Sequence, residues 1–198
     1  MNKNNCDIII YMKKIFEIGV GESYTCRTKR FWDSEIECHL FEPNPILYKE
    51  LVDASKEYKN VHVYNLAIMD KSGEEEIFLM NNCSYINNIT SPVALHQGLD
   101  SDIIKNAEKV KVKSETIDKF DTGDIGVLLI DTEGCEWFVL QKLISKPKQI
   151  VIETSTIGPD GKPIPNKNID KILFWMWENN YQLVLKNDND SNFVRMKT

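Results

Sequence analysis

The sequence predicts an α/β fold with a mainly parallel central sheet and an antiparallel hairpin at its C-terminal end. Three observations point there. Strand and helix signals alternate through the first third of the chain, the pattern of parallel strands joined by crossover helices. Two apolar runs about twenty residues apart, Ile15-Phe16-Glu17-Ile18 and His39-Leu40-Phe41, end in Gly19-Val20-Gly21 and in Glu42-Pro43-Asn44-Pro45. A third run, Val127-Leu128-Leu129-Ile130, is apolar enough to be buried on both faces and ends at Asp131, Glu133 and Glu136. In a parallel sheet all three endpoints fall on the carboxyl edge, where open α/β sheets bind ligands.

The elements follow in order. Residues 1–12 read as a leader or short extension. Ile8 to Met12 is too short for the apolar region of a signal peptide and runs directly into Lys13-Lys14. The second strand stops at Glu42 because Pro43 and Pro45 cannot continue a central strand. Leu47, Tyr48, Leu51, Val52, Ser55 and Tyr58 then form the inward stripe of a helix. Val61 to Ala67 reads as a third strand, 70–73 as a turn, and Glu76 to Met80 as a short strand. Residues 81–106 lack periodicity and are rich in Asn, Ser and Pro, as expected of an excursion that serves as a lid.

Strand character resumes at Val110 to Lys113 and again at Val127 to Ile130, followed by a helix with Trp137, Leu140 and Ile144 facing inward and closed by Pro147. Gln149 to Thr154 makes the next strand, and 158–165 a Gly/Pro loop. Ile169, Ile172, Leu173, Met176 and Trp177 recur at i, i+3, i+4, i+7 and i+8, which predicts an amphipathic helix with both Met176 and Trp177 in its core stripe. Leu183 to Leu185 and Phe193 to Met196 flank an Asn/Asp turn and predict a hairpin.

Composition bounds the function. With 42% hydrophobic and 27% charged residues, the 198-residue chain reads as one globular domain spanning 1–198. A net charge of -6 argues against nucleic acid as a partner, since phosphate neutralisation needs a basic face. No stretch is apolar enough to span a membrane. The five cysteines are scattered and form no C-x-x-C pair, which fits reduced thiols and a cytoplasmic location.

Residue chemistry narrows the reading further. Gly19 and Gly21 let the backbone approach a ligand, and Glu42 can accept both hydroxyls of a ribose, so the first two endpoints outline adenosine recognition. Glu42 could instead cap the following helix. Asp131 ends a central strand, where a carboxylate can act as general base while Glu133 orients a substrate. The same acids, with Glu136, could simply favour a helix N-terminus, and Glu136 is read as structural. A divalent ion on Asp131, Glu133 and Glu153 is chemically reasonable, but no metal is expected. Arg27, with Lys29 and Arg30, could grip an anionic group of a substrate or form a solvated helix face. Ser84 and Tyr85 lie in the excursion and could contact a hydroxylated substrate.

Phe16-Glu17-Ile18-Gly19, Phe41-Glu42-Pro43-Asn44-Pro45, Asn65-Leu66-Ala67-Ile68-Met69-Asp70, Glu115-Thr116-Ile117-Asp118 and Ile130-Asp131-Thr132-Glu133-Gly134-Cys135-Glu136 together resemble the FkbM family of S-adenosylmethionine-dependent methyltransferases. The resemblance runs over nearly the whole chain from Ile15. It implies the class I methyltransferase (Rossmann-like) fold, S-adenosylmethionine as cofactor, and O-methylation of a hydroxyl on a sugar or related small molecule. By that likeness the Glu17 to Gly21 loop holds the methionine end of the cofactor, Glu42 with Asn44 beside it the ribose, and Asn65 to Ala67 the adenine. The chain departs from many relatives, which carry Asp and a G-A-N-x-G turn where this sequence has Glu17 and Gly19-Val20-Gly21-Glu22-Ser23-Tyr24.

Two other readings share some of these residues. A nicotinamide-dependent oxidoreductase would use the Gly-x-Gly turn and the downstream acid. It would also want a third glycine where Tyr24 stands, and it leaves the Asp131 cluster without a role. A noncatalytic binding module would keep the fold and the cofactor alone.

Overall fold

The computed structural model describes residues 13–79, 84–86, 106–157, 160–187 and 189–197, Tyr85 by its backbone only. Residues 1–12, and most of the 81–106 excursion, lie outside the described residues. The strands are β1 (Lys14–Ile18), β2 (Glu37–Phe41), β3 (Val61–Tyr64), β4 (Ala67–Ile68), β5 (Gly73–Leu79), β6 (Tyr85–Ile86), β7 (Glu108–Glu115), β8 (Val127–Ile130), β9 (Gln149–Glu153), β10 (Ser155–Ile157), β11 (Pro163–Pro165), β12 (Tyr181–Lys186) and β13 (Asp190–Arg195). The helices are α1 (Pro45–Ser55), α2 (Glu136–Leu140) and α3 (Ile169–Glu178).

Seven strands form the central sheet in the order β12-β13-β9-β8-β1-β2-β3. β3, β2, β1, β8 and β9 pair in parallel, while β13 runs antiparallel to both β9 and β12. This is the class I methyltransferase, Rossmann-like fold, mainly parallel with an antiparallel C-terminal hairpin. From β1 the chain winds outward through β2 and β3, then returns to β8 on the other flank of β1, so the strand order reverses between β1 and β8. Ile18 is in register with Phe41 on one side and Ile130 on the other. The residues that follow these three strands, Gly19, Glu42 and Asp131, are thereby brought side by side on the carboxyl edge.

The core explains why this arrangement holds. Phe16, Ile18, Phe41, Leu128, Ile130, Ile150 and Ile152 are buried with Val139 and Leu140 of α2 and Ile172 and Met176 of α3. On the opposite face Leu40 and Leu51 pack with Trp32, Cys26 and Val20. A smaller sheet, ordered β4-β7-β5-β6, buries Ala67, Ile77, Ile86 and Val112 against Cys135.

Several elements differ from expectation. The third strand ends at Tyr64, and Ala67–Ile68 instead joins β7 in the second sheet. Asn65 makes the break: its Nδ2 donates to the carbonyls of Glu42 and Pro43, both at 2.9 Å, turning the chain over the end of β2. The β1–β2 crossover, Lys29 to Phe31 included, holds one 3-10 turn and no α-helix. The helix after Asp131 stops at Leu140, leaving Ile144 exposed and Leu143 buried. Trp177 is not in the core stripe of α3; it is 72% exposed. The helix turns Ile172 and Met176 inward and packs Trp175 on Tyr181, the first residue of β12, with ring centroids 5.7 Å apart. The Gly/Pro loop carries the short β10–β11 ladder.

Candidate functional site

A cleft of about 240 Å³ opens at the carboxyl edge, at the point where the strand order reverses. In doubly wound sheets this switch point is where the loops part and leave a crevice. Gly19 and Gly21 form one wall, Glu42 and Pro43 the next, Asp131 and Glu133 the third, with Leu66, Ala67 and Ile77 supplying an apolar side.

Gly19 has φ +76°. A Cβ built on it would lie 1.8 Å from the Asp131 carbonyl oxygen, so only glycine lets the first loop pack against the end of β8. Its N–H donates to the Phe41 carbonyl at 2.9 Å, and Asp131 N–H donates to the Ile18 carbonyl at 2.9 Å. The sheet ladder thus continues one residue beyond each strand and locks the three walls together.

Glu42 is buried, 4% exposed, and its carboxylate accepts from the backbone N–H of Gly21 at 2.8 Å and of Asn44 at 2.9 Å. Burial pushes its carboxyl up to about 7, against the pull of those N–H groups. A carboxylate has about four acceptor sites, so Glu42, which lines the cleft, retains capacity to accept a hydroxyl of a ligand. Asn44 caps α1 through Oδ1, accepting from Ile46 N–H at 2.9 Å, and its Nδ2 donates to Ser84 Oγ at 2.9 Å.

Glu17 lies beneath the cleft rather than in its lining. Its buried carboxylate accepts from the N–H of Arg27 at 2.8 Å and of Thr28 at 3.0 Å, holding the crossover turn. The Arg27 side chain then reaches Asp131 Oδ2 at 2.8 Å and Asp190 Oδ2 at 3.4 Å. Burial lifts the Asp131 carboxyl to about 6 while the Arg27 guanidinium holds it down. Glu153, at the end of β9, is pushed well up, first by burial and then by the charge of Asp131.

The turn after Asp131 is built by Glu136. Its Oε1 accepts from Thr132 N–H and Oγ, both at 3.0 Å, and from Gly134 N–H at 3.1 Å, while Oε2 takes the Asn166 amide. Glu133 sits at φ 54°, a left-handed conformation uncommon for a side chain of its size.

The structure therefore gathers Gly19, Gly21, Glu42, Ala67, Ser84, Asp131 and Glu133 around one cleft. Asn44 and Asn65 stand behind it, tying its walls together. Arg27 contacts Asp131 from outside the lining, and the Tyr85 side chain lies outside the described atoms. Sequence reasoning missed Leu47, Ile77, Ile86, Thr132 and Cys135, which also line the cleft, as does Leu66 of the Asn65 to Ala67 segment. The apolar ones carry no signal beyond hydrophobicity, although the position of Leu47, in the first helical turn after Pro45, could have marked it. Among the described residues no group of three His, Cys, Asp or Glu could hold a metal ion, and no helix is long and apolar enough to cross a membrane.

The family model of the methyltransferase FkbM domain matches residues 13–183. Among curated proteins none matches the chain. Solved structures with a similar fold include an Aeropyrum pernix fibrillarin with natively bound S-adenosyl-L-methionine, at 9% identity and TM-score 0.48, covering 92% of this chain and 66% of its own. A precorrin-6y C5,15-methyltransferase from Geobacter metallireducens is similar at 12% identity and TM-score 0.48, over 94% of this chain and 81% of that one. A SAM-dependent O-methyltransferase from Thermotoga maritima is similar at 9% identity and TM-score 0.47, over 100% of this chain and 67% of that one.

Proposed function

The chain belongs to the methyltransferase FkbM domain family, and on that premise we propose that it is an S-adenosylmethionine-dependent methyltransferase acting on a hydroxyl of a sugar or related small molecule. One observation carries the reading: the buried Glu42 carboxylate and the Asp131 carboxylate line one cleft from the ends of β2 and β8, the two strands that flank β1, with the Gly19–Gly21 loop between them. That is a ribose acceptor on one side, a proton acceptor on another, and a close backbone approach between.

S-adenosylmethionine, when bound, supplies a methyl group on a sulfonium, open to in-line displacement by an oxygen nucleophile. The chain's own residues would do the rest. Glu42 accepts ribose hydroxyls, and the apolar side at Leu66, Ala67 and Ile77 covers a base ring. Gly19 and Gly21 keep side chains out of the path of the methionine end. Glu17, beneath the cleft, holds the crossover turn through the N–H groups of Arg27 and Thr28. Asp131 accepts the proton that the acceptor hydroxyl gives up, and Glu133 orients the acceptor. Alignment of this kind can supply up to ~7 to 11 kcal/mol of the barrier, and a positioned base about 100- to 10,000-fold.

The reading takes 1–198 as one unit, located in the cytoplasm, with a saccharide or other small molecule as partner. The test is transfer of a labelled methyl from S-adenosylmethionine to a panel of sugars and small alcohols. Labelled product that drops about 100-fold or more in Asp131→Asn, with S-adenosylhomocysteine binding retained, supports the assignment. Equal turnover by Asp131→Asn removes Asp131 from the chemistry.

A further inference from the structure

Three segments far apart in sequence converge behind Asp131: the β1–β2 crossover, which brings Arg27; the start of β13, which brings Asp190; and the end of β9, which brings Glu153. Arg27 would otherwise be the natural grip for an anionic substrate. Here its Nη2 is committed to two carboxylates, 2.8 Å from Asp131 and 3.4 Å from Asp190. Its starting point is fixed as well, because the buried Glu17 carboxylate holds the backbone N–H of both Arg27 and Thr28.

We propose that Arg27 is a positioning residue, which, anchored by Asp190 and by Glu17, holds Asp131 as a carboxylate aimed into the cleft. The inference rests on the reading of Asp131 as the proton acceptor. The charges that face Asp131 make the need plain. Glu17 comes from β1, Glu42 from β2, Glu136 from α2, Asp190 from β13 and Glu153 from β9, and all are acids. Glu133 stands two residues on in its own turn. Against that ring Arg27 is the cation that touches Asp131, and its charge opposes what burial and the acids do to the Asp131 carboxyl. A base that kept its proton could not take another. The planar guanidinium also fixes the direction of the carboxylate in a way a flexible ammonium would not.

The experiment needs no acceptor. The side-chain carboxyl of Asp131 is followed by carbon NMR in protein labelled at aspartate, its resonance assigned by its loss in Asp131→Asn. In Arg27→Gln the titration midpoint rises by about one pH unit or more, and in Arg27→Lys it stays closer to the wild-type value. An unmoved midpoint in Arg27→Gln overturns the proposal. A second readout uses the wild-type side chain: the Arg27 guanidinium nitrogen resonances shift with the Asp131 midpoint, and that step vanishes in Asp131→Asn. Guanidinium signals that ignore the Asp131 titration also overturn it, even if Arg27→Gln folds poorly. Turnover of Asp131→Asn separately judges the base assignment, so a failed pairing and a failed base are distinguishable.

Discussion

At Gly19 a single hydrogen in place of a methyl group decides whether the site exists. The Cα of Gly19 packs against the backbone of Asp131, and a Cβ there would overlap the Asp131 carbonyl oxygen, which cannot swing away as a flexible side chain would. With the left-handed φ added, Gly19→Ala should lower stability by about 3 kcal/mol or more, read as the shift in urea midpoint. Glu42 makes the complementary prediction. Its carboxyl stands at about 7, and ribose hydroxyls donate to the ionised form, so affinity for S-adenosylhomocysteine should rise as pH climbs through 7. Glu42→Gln should bind about tenfold or more weakly and lose that pH dependence, both read by calorimetry. The positions of Gly19, Gly21, Glu42 and Asp131 around the cleft were legible because glycines, prolines and acids mark where the apolar runs end. The role of Glu17 was not, because a buried carboxylate holding backbone N–H groups and one facing a ligand look alike in sequence.

Among the elements, α3 shows where periodicity stops short. Ile169, Ile172, Leu173, Met176 and Trp177 span a stripe wider than the surface the sheet offers, and the sequence does not say which edge is buried. The stacking of Trp175 on Tyr181 settles the rotation, leaving Trp177 outside. Met176→Ala should therefore cost about 2–5 kcal/mol, whereas Trp177→Ala should stay within about 0.5 kcal/mol, in the same denaturant titration. Comparable losses at both positions would restore the wider stripe. The strands were more legible than the helices, because β8 is a continuous apolar run of the length a doubly covered strand needs and β1 is apolar from Ile15 to Ile18 but for Glu17. The split between β3 and β4 was hidden, since one Asn side chain reaching back to β2 leaves no trace in an apolar pattern.

For the whole molecule, the acids at the carboxyl edge set the pH profile of stability. Glu42 and Asp131 stand at about 7 and about 6, and Glu153 is pushed up by burial, all above their free values. The folded chain keeps protons there that the unfolded chain has released, so this contribution is full near pH 4 and is lost as pH rises through 6 for Asp131, through 7 for Glu42 and at higher pH for Glu153. Glu42 alone should account for about 2.5 kcal/mol between pH 5 and pH 8, and a stability that is flat or rising over that range would contradict the assignment. The strain is what a ligand can relieve, by donating hydroxyls to Glu42 as its proton leaves. The most direct measurement is thermal unfolding at pH 8 with S-adenosylmethionine, S-adenosylhomocysteine or NAD. At about 100 times the dissociation constant the two adenosyl-sulfur ligands should each stabilise the wild-type chain by ~2.7 kcal/mol, with a smaller gain in Glu42→Gln. Stabilisation by NAD alone, or a gain indifferent to Glu42, would contradict the account.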